Sequence, residues 1–191
     1  MTLVLIILLI FVAIMFFILL VMGGWTIGTY NWFVNAKQNV KNQFSNIKTE
    51  YQRRLDLFYN IVQSVKSYKN FEKSALVEVI QARSQGFTGS PKKDIKTMGE
   101  LDNLFSKLMV LFEKYPDLKA IQQHNKLFDE IRVTEDRINI ARTDYNAVVR
   151  DYNVGVKSFP QSLVVGMFKF QDEEFYLNEF NSDAAPQINL E

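Results

Sequence analysis

The chain has no cysteine and a single histidine, His124, among its 191 residues. Disulfides, thiolate catalysis and cysteine-based zinc sites are therefore excluded, as is a histidine-rich metal centre. Charge of either sign is absent before Lys37, and the whole chain balances 22 basic against 21 acidic residues. That balance gives no reason to expect nucleic acid as a partner. No stretch alternates apolar and polar residues over a strand's length, which argues against a sheet. A glycine-rich phosphate loop, a nucleophile elbow and a metalloprotease helix are all missing. The chain is accordingly read as non-enzymatic, with no cofactor and no metal.

What is present begins with Leu3 to Met22, an unbroken apolar run. A bilayer core about 30 Å thick needs roughly 20 apolar residues in a helix. The run meets that length, so residues 3–22 are expected to cross the lipid bilayer as a retained anchor, within an anchor segment 1–24. A cleaved signal would carry Lys or Arg ahead of a shorter apolar stretch and a small-x-small site after it. Gly23 and Gly24 suggest a flexible exit, and Trp25, Tyr30 and Trp32 form an aromatic belt at the headgroup level. Behind the span stand Lys37, Lys41, Lys48, Arg53 and Arg54 against the single acid Glu50. Basic flanks stay in the cytoplasm, so the soluble part is expected there with the N-terminus outside.

The remaining 165 or so residues suffice for one core. Prolines occur only at Pro91, Pro116, Pro160 and Pro186, and they partition the chain. A helix is expected from about Asn31 to Ser84, with a possible break near Tyr68-Lys69-Asn70. Gln85 to Gly99 reads as a loop and Glu100 to Lys114 as a helix. A turn at Tyr115-Pro116-Asp117 follows, then a helix from Leu118 to Lys157. Gln161 to Phe180 reads as a short helix or irregular arm, and Asn181 to Glu191 as a tail. Steps of four and three trace one stripe through Val40, Phe44, Ile47, Tyr51, Arg54, Phe58, Ile61, Val65 and Tyr68. A second runs through Phe128, Ile131, Glu135, Ile138, Arg142, Tyr145, Val149, Tyr152, Val156 and Phe159. Such stripes pack helix on helix with a slight left-handed crossing. The fold class is all-α: a transmembrane helix followed by an antiparallel bundle of three to four long helices.

Arg54, Glu135 and Arg142 interrupt these stripes, and two readings compete. In one, an Arg-Glu-Arg network is buried and fixes register, since an unpaired buried charge costs several kcal/mol. In the other, the three residues form a polar binding pocket, whose arginine forks suit carboxylate or phosphate. His124 has no Asp, Glu or His partner at ligand spacing and reads as a surface or satisfied histidine. Asp172-Glu173-Glu174 reads as a solvated face.

A series of residues now stands in a recognisable order behind the span. It contains Gln52-Arg53-Arg54-Leu55-Asp56-Leu57, Asn60, Val62, Val65-Lys66, Tyr68, Glu72, Leu76, Val79 and Ala82-Arg83. Tyr115-Pro116-Asp117-Leu118-Lys119-Ala120 follows, then Glu135, Ile138, Ala141-Arg142, Tyr145-Asn146, Val149, Tyr152-Asn153 and Phe159-Pro160. Over Trp25 to Phe180 this resembles the LemA family of bacterial and archaeal membrane proteins. The family usually has Pro where Tyr59 stands and His where Phe71 stands, so no histidine site is carried over. The resemblance implies a membrane-anchored antiparallel helical bundle over 25–180 and no established reaction, while the composition of 181–191 reads as a mobile tail. The expected role is a scaffold or interaction module at the membrane, engaging an unknown membrane protein or a second copy. Phe33, Val34 and Phe44 are expected to be exposed and to drive self-association. The alternative is a ligand-sensing module around Arg54, Glu135 and Arg142.

Overall fold

A computed structural model describes residues 2–65, 73–115 and 122–176. Those residues form five α-helices: α1 Thr2–Val65, α2 Lys73–Gln85, α3 Pro91–Glu113, α4 Gln122–Lys157 and α5 Gln161–Phe168. No strand occurs among the described residues. The chain is all-α, as its periodicity requires. The positions near Asn70, the Pro116-Asp117 turn and the tail from 181 lie outside the described residues. Two compact units are drawn from Met1–Val40 with Val148–Glu173, and from Lys41–Ala147 with Glu174–Glu191.

In the second unit α1, α2, α3 and α4 form an up-down-up-down bundle. Phe44 meets Tyr145, Arg54 meets Glu135, and Ser64 meets His124, so α4 runs opposite to α1. Tyr51 and Phe58 both stack on Phe105, and Phe58 also faces Phe112, so α3 runs with α1. Ala75 lines one cleft with Leu108 and Leu111, and Gln85 lines another with Thr97, which sets α2 antiparallel to α3. The α1 stripe from Phe44 to Val65 is buried throughout. Phe44 therefore belongs to the core rather than to an exposed association surface. His124 is buried and shares a 2.9 Å hydrogen bond with Ser64 Oγ, a satisfied histidine.

α3 begins at Pro91, nine residues ahead of its expected start, and the loop before it is correspondingly short. The reason is local chemistry. Pro91 occupies the first helical turn, where its missing N–H is no loss. The Asp94 carboxylate accepts hydrogen bonds from Thr88 N (2.7 Å), Thr88 Oγ1 (2.8 Å) and Gly89 N (3.0 Å). It thereby satisfies the donors of the loop that leads into the helix. Gly86 and Gly89 hold positive φ of 59° and 82°, which a side chain would disfavour.

The first unit holds the apolar run, and α1 continues without a break through Gly23 and Gly24, so the expected flexible exit is helical. Every described side chain from Leu3 to Met22 is exposed, and that segment is long and apolar enough to cross a membrane. Beyond it, Phe33 is fully buried in an aromatic cluster, while Val34 remains exposed. Phe33 stacks on Phe170 at 5.1 Å and meets Trp32 and Tyr152 edge-on at 4.9 and 6.0 Å. After α5 the chain extends as a strap. Asn153 clamps Glu173 at two points, donating to its carbonyl at 2.8 Å and accepting from its N–H at 2.9 Å. Lys157 pairs with Asp172 at 2.9 Å and Lys37 with Glu173 at 3.0 Å. The acidic run thus fastens the strap instead of only facing solvent.

Gly155 sits where an added Cβ would come within 2.6 Å of the Trp32 ring. Gly155→Ala is expected to destabilise the chain by about 1–2 kcal/mol, because the ring must leave its seat on Phe33. In a Trp32→Ala background the sign reverses, since alanine exceeds glycine in helix propensity by up to ~1 kcal/mol. Denaturant unfolding of the four variants in detergent measures both.

Candidate functional site

The polar residues of the bundle converge in the second unit. Arg142 on α4 donates to Asp102 on α3 at 2.6 Å and to the Tyr51 hydroxyl on α1. Tyr51 in turn donates to Asp102 at 2.9 Å and shares a 3.1 Å hydrogen bond with Tyr176 of the strap. One hydroxyl proton and two lone pairs are thereby all used. The Arg142 guanidinium also lies between two rings, 4.7 Å from Tyr176 and 5.4 Å from Tyr51. The strap is held here as well: Asn146 donates to the Tyr176 carbonyl at 3.1 Å and accepts from its N–H at 2.8 Å. Tyr145 donates to the Glu174 carbonyl at 2.7 Å.

Arg54 lies in the same region with a different partner. Its guanidinium packs 4.7 Å from the Phe105 ring and 5.9 Å from Phe58, and it reaches Glu135 at 3.1 Å. Arg54 is buried, whereas the Glu135 side chain is 57% exposed. The seam position next to Glu135 is filled by Thr134, fully buried, with its hydroxyl on the Ile131 carbonyl at 2.7 Å. So Glu135 stands at the rim, and Arg142 pairs with Asp102 rather than with Glu135. A cleft of about 190 Å³ is lined by Arg54, Asp102, Glu135 and Arg142 with Ser106, Ile138 and Asn139. The Nε atoms of Arg54 and Arg142 are buried without a hydrogen-bond partner.

Burial shifts the titrations. The Tyr51 hydroxyl is pushed well above the ordinary tyrosine range, first by burial, then by Tyr176 and Asp102, against the opposing pull of Arg142. Tyr176 is raised too, by burial above all. Burial lowers Arg54, with Glu135 and Asp102 opposing it. Burial pulls Arg142 down as well, but Tyr51, Tyr176 and Asp102 outweigh it and the net shift is upward. No group of three or more metal-ligating side chains occurs among the described residues.

The bundle, the clamped strap and this polar knot can now be set beside known proteins. The LemA family profile matches residues 43–190, more than half the chain. The chain belongs to the LemA family. Protein LemA of Metamycoplasma hominis is 28% identical over 135 residues, covering 70% of this chain and 62% of the relative. This chain therefore spans less than two thirds of that relative's length. Magnetosome protein MamQ 2 of Paramagnetospirillum magneticum is 24% identical over 189 residues, with 83% and 70% covered. Magnetosome protein MamQ of Magnetospirillum gryphiswaldense is 23% identical over the same length. With the apolar length of α1, membership in this family makes the chain a membrane-associated protein.

Asp102 and Tyr176 were not anticipated among the site residues. Asp102 had a signal: from Met98, steps of four and three reach Asp102, Phe105 and Phe112, one face of α3. Asp102, Phe105 and Phe112 all lie within the expected Glu100 to Lys114 helix, but a lone carboxylate on a short stripe does not name its arginine partner. Tyr176 had none, because an extended strap carries no period. Tyr59, where the family usually has proline, lies under the Arg83 guanidinium at 4.4 Å, and Arg83 pairs with Asp56 at 3.1 Å.

The two ion pairs differ in burial, so their loss should differ in cost. Asp102→Ala leaves Arg142 without its carboxylate and is expected to cost about 3 kcal/mol. Glu135→Ala removes the carboxylate of the buried Arg54, but Glu135 stands in solvent and water can take its place, so the cost should be smaller, about 1–2 kcal/mol. Thermal unfolding of the full chain reads both. The tyrosines add a pH dependence whose sign follows from their raised folded values. The unfolded hydroxyls ionise near pH 10, whereas the folded ones retain their protons, so this stability is complete below pH 10 and falls as pH rises further. The expected slope from Tyr51, the more strongly raised of the two, is about 1.4 kcal/mol per pH unit. Unfolding followed between pH 8 and pH 11 should show the fall begin near pH 10 and weaken in Tyr51→Phe.

Proposed function

We propose that the chain is a non-enzymatic interaction module: a helical bundle, carried on a membrane-spanning helix, that docks a membrane protein partner or a second copy. The observation that carries this reading is where the charges go. The two inner arginines meet four aromatic rings and two carboxylates, Asp102 within the bundle and Glu135 at its rim, so their charges are taken up by the fold. A tyrosine held protonated and an aspartate already engaged by an arginine make a poor base and a poor nucleophile. The outward face of α4, in contrast, carries Val133 and Ile140 one heptad apart, 47% and 60% exposed. Apolar residues at that spacing suit a further helix. The names of its magnetosome relatives state a place and not a reaction.

A photo-activatable residue at Ile140 of the full-length protein tests this in cells. One recurrent cross-linked species, a second copy or a single partner, is the expected outcome. A chain that stays monomeric after irradiation contradicts it. The basic flank from Lys37 to Arg54 supports a cytoplasmic bundle with the N-terminus outside. A cysteine at Ile140 should then react with an impermeant maleimide only after cell lysis; reaction in intact cells would reverse the orientation.

A second reading, a ligand-sensing pocket, is favoured by the unbonded Nε atoms beside the cleft of Arg54, Glu135 and Arg142. Titration calorimetry with phosphate and acetate separates the two readings. Saturable heat that Arg54→Ala abolishes would establish the pocket, whereas the interaction-module reading expects none.

A further inference from the structure

The corner between α4 and α5 is unusual for a surface. Residues 158–168 carry no charge, and the segment is bracketed by Lys157 and Lys169. Within it Val164 and Val165 are buried inside the first unit, which fixes one face of α5. The opposite side is apolar and open: Phe159 is 80% exposed, Leu163 56% and Met167 70%. They recur every four residues, so they form one stripe along α5 and the turn before it. A soluble surface would place polar residues there.

The position of this stripe in the first unit supplies its occupant. Tyr152 packs on Phe33 and Gly155 faces Trp32, so α4 descends toward the apolar run as α1 rises from it. α4 ends at Lys157, two residues or about 3 Å past Gly155, so the turn that carries Phe159 lies near the level of Gly28 to Tyr30. Gly28 is six residues, roughly 9 Å, beyond Met22, in the zone where headgroups surround a 30 Å core. Phe168 is anchored there too, 4.7 Å from Tyr30 of the aromatic belt. An uncharged apolar stripe between two lysines, at headgroup depth beside a membrane helix, has the makeup of an interfacial helix.

We propose that the α4–α5 corner is a second membrane contact, in which Phe159, Leu163 and Met167 enter the headgroup–acyl boundary of the bilayer that α1 spans. The proposal rests on the membrane-spanning reading of α1, and the test separates the two. Because the chain has no cysteine, single cysteines can each carry an environment-sensitive fluorophore. Full-length Met167→Cys, Leu163→Cys, Ile10→Cys and Arg132→Cys are reconstituted in phosphatidylcholine–phosphatidylglycerol vesicles, position 132 being an exposed site off the Val133–Ile140 face. Each is challenged with lipid spin-labelled near its headgroup and with aqueous iodide. Labels at 163 and 167 should lose most of their fluorescence to the lipid quencher and resist iodide, while the label at 132 does the reverse. Iodide quenching at both 163 and 167, with position 10 still shielded from it, overturns the corner contact alone. Iodide quenching at position 10 overturns the anchor as well. Protection of 163 and 167 from both quenchers assigns the stripe to protein and also overturns the proposal.

Discussion

A guanidinium cannot be buried alone; desolvating it costs several kcal/mol unless carboxylate and hydrogen bonds compensate. Arg142 meets that constraint by drawing Asp102 from α3 and Tyr51 from α1 onto one centre, and Tyr51 then fixes Tyr176 of the strap. Any slip of one helix along its neighbour would leave a charge unpaired. Apolar stripes tolerate such slips far better, because leucine and phenylalanine can repack. We propose that the knot sets the register of the bundle, while the stacked Phe58, Phe105 and Phe112 supply its bulk.

Much of this was legible in the chain. The period of the α1 and α4 stripes follows from helix geometry and needs no tertiary information, and burial from Phe44 to Val65 agrees with it. Arg54 and Arg142 announced themselves as charges inside a seam. What escaped was partner choice. Glu135 is one residue from Thr134, and at the end of a three-or-four step either can face inward; the smaller, self-bonded threonine does. Phe33 and Phe44 were misjudged for a related reason. Their cover comes from Phe170 and Tyr145, far along the chain, which no local pattern reveals. The start of α3 depended on a carboxylate folding back over Thr88 and Gly89, a tertiary detail beneath an ordinary loop composition.

The strap has its own logic. An extended segment lying on a helix has backbone donors and acceptors that neither helix nor sheet will satisfy. Asn153 meets this need at Glu173 and Asn146 at Tyr176, each with both ends of its amide. Asparagine is suited to this because one side chain offers a donor and an acceptor in the geometry of a peptide group.

The central claim is that the inner charges serve register and not recognition. Its most direct test replaces them with apolar residues of similar volume, Asp102→Leu, Arg142→Met and Tyr51→Phe together, in the full-length protein. Buried ion pairs exchanged this way are often neutral or stabilising. The account predicts a folded chain at least as stable as the native one, with the same cellular cross-links from α4. A folded variant that has lost those cross-links would contradict it, since the charges themselves would then be what a partner or ligand reads.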